Sequence, residues 1–193
     1  QELLVYFDPW IAGVLLPGLI IVGLMALPYC DMSPNKGGYY SFEERKYTSG
    51  LFMFGFLILW LLLIIVGTFL RGPNWNFFGI YEPWNSVKIV PLTNVNLSEY
   101  FWAKGLEQPM PKFWLIRELP GFAVLTFYFG IIPIMMTRIP KLFREYYQEA
   151  GLIRFTIITQ LLLWMALIPI KMVLRWVITL KYILYIPEYF FNI

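Results

Sequence analysis

The sequence predicts an all-α, polytopic transmembrane protein with about four spans, a long aromatic loop on the outer face and a C-terminal amphipathic or interfacial helix. Three observations predict it. The chain is 59% hydrophobic and only 14% charged, whereas soluble domains carry about a quarter charged residues. Four apolar runs of near-span length are separated by Pro, Gly and charged stretches. Aromatics reach 20% and gather at the run ends and in one connection, as Trp and Tyr do at membrane interfaces.

The first run extends from about Trp10 to Tyr29, between Pro9 and Pro28. Its uncharged interior is long enough for a hydrocarbon core of about 30 Å. Pro17 and Gly18 should kink it, with neighbouring helices covering the freed carbonyl. Cys30, the single cysteine, reads as a small packed residue. The following hairpin carries Asp31, and Ser41-Phe42-Glu43-Glu44 resembles a cap leading into a short helix. The second run, Gly50 to Leu70, is the most apolar.

Residues 71–119 form a long connection for a compact bundle. Gly72-Pro73 stops the preceding helix, and Arg71 stands where its C-terminal dipole and lipid phosphate both favour a cation. Trp75, Trp84, Trp102 and Trp114 belong to a set of aromatics too large to leave in water. Short interfacial helices are expected over 96–102 and 111–119. The connection then lies folded on the membrane surface as a plate that covers its own bundle or docks a partner. The third run spans about Pro120 to Met136, with Pro133 near its end. The fourth spans about Phe155 to Ile170 or Val173, and Gln160 inside it calls for a helix–helix hydrogen bond. Beyond Pro169, Lys171 and Arg175 are one turn apart. They fit either an interfacial helix with its basic face to water or lipid headgroups, or a continuation of the fourth span with snorkelling cations.

An even number of spans puts loops 30–49 and 137–154 on one side. They hold seven cations in 38 residues, against eight in 72 for 71–119 and 171–193. The denser loops should face the cytoplasm, which puts both termini and the aromatic loop on the periplasmic, positive side. Histidine is absent, so this chain has no His to ligate haem b, zinc or iron and none for a catalytic triad. With one Cys and scattered cations, no Cys-rich metal site, internal disulfide or nucleic-acid stripe is expected. The chain starts at Gln1 and reads as processed or as part of a longer one.

The stretch LLPGLIIVGLMALPYCDMSP (15–34), a charged hairpin and a span ending GTFLRGPNW (67–75) resemble the C-terminal half of cytochrome b in bacterial bc-type quinol–cytochrome c oxidoreductases. The likeness is to the separate subunit IV form, here as an extended variant. It covers about residues 9–75, with Leu27-Pro28-Tyr29-Cys30-Asp31 on the family pattern. It divides the chain into a cytochrome b C-terminal-like two-helix hairpin (1–75), a structured interfacial loop (76–119) and two further helices with a tail (120–193). The family's quinol-oxidation signature, Pro-Glu-Trp-Tyr, is not in this sequence; Tyr81-Glu82-Pro83-Trp84 has a different order and place.

The resemblance implies a haem-free subunit in a bacterial inner membrane, walling a quinone site. It implies haem b in a cytochrome b partner, and Rieske-type or c-type cytochrome subunits beside it. Glu2 and Asp8 are the quinone-proximal candidates at the outer end of the first span, although Asp8-Pro9 is also an ordinary helix start. Asp31 reads as structural. The competing reading is a membrane scaffold of another assembly with no quinone contact; that no acid lies deep in a span favours a wall or scaffold role over direct catalysis. A transporter has only Gln160, Thr126, Thr156 and Thr159 to line a path.

Overall fold

In the computed structural model, residues 7–32, 42–70 and 94–187 are described. Four helices are long and apolar enough to cross a membrane: α1 (Ile11–Cys30), α2 (Lys46–Leu70), α5 (Leu119–Met136) and α6 (Lys141–Ile178). Between α2 and α5 come a short helix α3 over 97–105 and one turn, α4 (Trp114–Arg117).

Two wide turns stand just before prolines, while those over Phe54–Leu62, Val66–Leu70 and Tyr100–Gly105 contain none. The wide turn Ile11–Leu15, in which Leu16 N–H reaches back five residues to Ile11 O, ends just before Pro17. The wide turn Phe127–Ile131, closed by Ile132 N–H on Phe127 O, ends just before Pro133. A proline cannot donate to the carbonyl four residues back, and a local π-type widening re-aims the neighbouring bonds. Pro28 does not end α1, which continues to Cys30. Pro169 does not end α6, which continues to Ile178.

Gly151 breaks α6 at φ 78°, ψ 174°, a region of backbone space open essentially to glycine alone. An arm of residues 141–150 therefore meets the long apolar helix at an angle. Tyr146, buried on that arm, packs its ring 4.2 Å from Tyr47 of α2 and shares a cluster with Cys30, Leu51 and Phe155. This is one end of the bundle, called here the hairpin end.

The long limb of α6 is the hub on which α1, α2 and α5 pack. Glycines allow two of these approaches: a Cβ on Gly23 of α1 would stand 2.8 Å from a Leu161 methyl, and one on Gly55 of α2 would stand 2.7 Å from the Met165 methyl. Small residues are the usual means of close packing where both sides are apolar. Tyr128 Oη donates to Leu163 O at 2.8 Å and adds a polar tie between α5 and α6.

α1 touches the bundle through a narrow stripe, with Leu16, Gly23 and Cys30 its buried residues at seven-residue intervals. Only 6% of the most apolar window of α2 is buried. Lipid or other chains must cover the rest, because such a surface is not left in water.

Of the two readings of the tail, continuation of the fourth span holds over residues 171–178, and no separate amphipathic helix follows among the described residues. α6 runs through Lys171 and Arg175 to Thr179, whose φ of 52° ends it. Residues 179–187 then return as a strap across the end of the bundle opposite the hairpin. Leu180 pairs with Val95 in an isolated parallel bridge. Helix over 111–119 is limited to Trp114–Arg117 before α5 begins.

Candidate functional site

An extended strap among apolar helices needs a partner for each peptide group, since an unpaired one is costly away from water. Val95 supplies two backbone bonds, donating to Thr179 O at 3.3 Å and accepting from Lys181 N–H at 2.8 Å. Leu97 N–H donates to Tyr182 O at 3.0 Å. Buried charges supply others. Lys171, 1% exposed, donates from Nζ to Leu180 O at 2.9 Å and Lys181 O at 2.7 Å. Glu118, also 1% exposed, accepts Tyr185 N–H at 3.1 Å and Arg117 Nε at 3.1 Å. Asp8 takes Ile186 N–H on one carboxylate oxygen at 3.0 Å and Trp10 N–H on the other at 3.1 Å. The second bond caps the start of α1, so one side chain both begins a helix and holds the strap.

The two acids share a sequence context. Each stands at a helix start that carries proline in its first turn, Pro9 after Asp8 and Pro120 after Glu118. That context was the available signal for Glu118, which sequence reasoning missed. Gly121 completes the contact: a Cβ there would lie 2.3 Å from Ile183 O, so the strap crosses α5 directly over a glycine.

The sequence placed Lys171 and Arg175 toward water or lipid phosphate. They do lie one turn apart on α6, but their head groups turn inward, and Arg175 NH1 lies 3.5 Å from Thr179 O. The strap's carbonyls give both cations an acceptor-rich surrounding that an outward face would have left to solvent. Trp102 and Trp114 also bond inward, to Arg117 O at 3.0 Å and Tyr185 O at 2.8 Å. Gln160 Nε2 donates to Phe129 O at 2.8 Å, joining α6 to α5. Glu2, Arg71, Trp75 and Trp84 lie outside the described residues.

Asp8, Lys171, Trp164 and Leu184 border a cavity of about 30 Å³, which has room for a water molecule but not for an organic ring. Among the described residues, no group of three or more His, Cys, Asp or Glu is placed to hold a metal ion. The bonds from Lys171, Glu118 and Asp8 to the strap's backbone suit this knot of charges to fixing backbone at the end of the bundle.

A second feature is larger. α1 and α2 diverge above α6 and leave a groove of about 450 Å³, within the range of small-molecule sites. Leu161, Trp164, Met165 and Ile168 form its floor, and Thr48 is among its few polar lining groups. At the hairpin end, Arg45 joins Asp31 through two contacts, Nε to Oδ1 at 3.1 Å and NH2 to Oδ2 at 2.9 Å. Comparison of the chain with family models, curated proteins and solved structures finds no match.

Proposed function

We propose that the chain is a haem-free membrane subunit of a quinol-oxidising electron-transfer complex, in a bacterial inner membrane with the knot end on the periplasmic side. The observation that carries the reading is the exposure of the α1–α2 hairpin, the part whose sequence resembles the cytochrome b C-terminal half. Val14, Ile20, Ile21, Val22, Leu24 and Met25 of α1 are all exposed, around much more than one face. A helix so little covered by its own chain is suited to forming one wall of a site completed by another chain.

The cavity at Asp8 is too small for a quinone ring, and both oxygens of that carboxylate already accept backbone N–H groups. In this reading Asp8 shapes the wall, and any quinone lies outside the knot, against a haem-b-carrying cytochrome b partner. The platform of residues 94–119 would receive a Rieske-type or c-type cytochrome subunit. Trp102 and Trp114 brace it from within, while Phe113, Leu115 and Ile116 are exposed.

A structural scaffold of another assembly is the second reading. It draws on the use of Asp8, Glu118 and Lys171 to bind the chain's own backbone. Purification in mild detergent separates the two. A haem-b reduced-minus-oxidised spectrum with a cytochrome b and a Rieske-type or c-type chain in the same peak is the expected result. A haem-free peak, or this chain migrating alone, overturns the electron-transfer reading.

A further inference from the structure

One turn beyond the lining of the groove between α1 and α2, at the hairpin end, stands a charge pair that runs against helix stability. Asp31 is the C-cap of α1 and Arg45 the N-cap of α2. Helix dipoles favour the opposite arrangement, cations at C-termini and anions at N-termini. The pair is therefore poorly explained as a device for stabilising either helix, and at 28% and 36% side-chain exposure it is worth little as a surface ion pair.

Its place relative to the groove is informative. Ile20, Leu24 and Leu27 line the groove on α1, and Asp31 continues that stripe one turn further. Thr48, Leu51 and Gly55 line it on α2, and Arg45 continues that stripe one turn back. Thr48 Oγ1 donates to Arg45 O at 3.1 Å, which ties the last lining residue to the pair. The lining from Ala12 to Leu27 is about 22 Å long at 1.5 Å per residue, much of the depth of one bilayer.

We propose that this groove holds one acyl chain of a zwitterionic phospholipid, with the headgroup at Asp31 and Arg45. The guanidinium faces the lipid phosphate, for which its planar fork is suited. The carboxylate faces the lipid ammonium. A paired anion and cation complement a headgroup that carries both charges, and would favour it over a purely anionic one. The second acyl chain stays in the bilayer through the open side of the groove. The proposal does not depend on the electron-transfer reading.

The test uses the full chain with its co-purifying partners. It is reconstituted in nanodiscs of equal parts phosphatidylethanolamine and phosphatidylglycerol, then extracted into mild detergent, and the retained lipid is identified by mass spectrometry. Retention of one phosphatidylethanolamine per chain, preferred about tenfold over phosphatidylglycerol as loss or gain of one charged contact implies, is the expected result. Asp31→Asn with Arg45→Gln should abolish that preference. Leu24→Trp, which adds bulk at an exposed groove position, should remove the retained lipid with helix content unchanged; Ile20→Trp serves if Leu24→Trp misfolds. Preferential retention of phosphatidylglycerol, a native isoprenoid quinone in the lipid's place, or no retained lipid would overturn the proposal. So would an unchanged preference in the Asp31→Asn, Arg45→Gln protein.

Discussion

Single residues at the knot have consequences that follow from their bonds. Lys171→Met keeps the stem but leaves Leu180 O and Lys181 O without their buried donor. A stability loss of about 1–3 kcal/mol is expected for unsatisfied groups of this kind, read as a lower thermal midpoint in detergent. Gly151→Ala puts a Cβ at φ 78°, ψ 174° and should cost about 1–3 kcal/mol, although the space around it is open. A normal midpoint in Gly151→Ala would contradict the angle assigned between the arm and the long limb of α6. Gln160→Leu removes one α5–α6 bond, and the average for such bonds in membranes, about 0.6 kcal/mol, sets the expected loss. Asp8-Pro9 was legible in the sequence as a helix start because capping is local. The second bond of Asp8, to Ile186, was not, because its partner is 178 residues away.

At the scale of elements, the strap is the least local part of the fold. Its path depends on Gly121, so Gly121→Leu should lift it from α5 by collision with Ile183 O. Leu184→Cys reports this: at a position 9% exposed it should resist a membrane-impermeant maleimide, and it should react once Gly121→Leu is added. Cys30, 1% exposed, gives a silent background. Equal reactivity in both proteins would contradict the strap's placement. The four apolar helices were legible from hydropathy and length, which depend on neighbouring residues only. Boundaries at proline were not. Pro28 read as an exit, yet α1 runs on through it to Cys30, as α6 runs through Pro169 to Ile178, because a helix packed among neighbours tolerates one missing donor. Residues 171–178 are helix and 179–187 are not, a division set by Lys171 and Arg175 turning inward to the strap's carbonyls rather than by any pattern along the tail.

For the whole molecule, the two ends of the bundle are built differently. The knot end is closed by the chain's own strap and carries buried charges bonded to backbone. The hairpin end packs aromatic rings from α2 and α6 and opens, between α1 and α2, into an apolar groove. Large parts of α1 and α2 remain uncovered by the chain itself, and the proposed electron-transfer role rests on this exposed hairpin. In the proposed role, a quinol-oxidising partner uses this hairpin as a wall. The most direct measurement is quinol-driven reduction of haem b in native membranes, followed by stopped-flow absorbance with and without this chain. Depleting the chain should abolish the quinol-driven phase while dithionite still reduces the haem b that remains. An unchanged rate and amplitude of the quinol-driven phase in depleted membranes would contradict it.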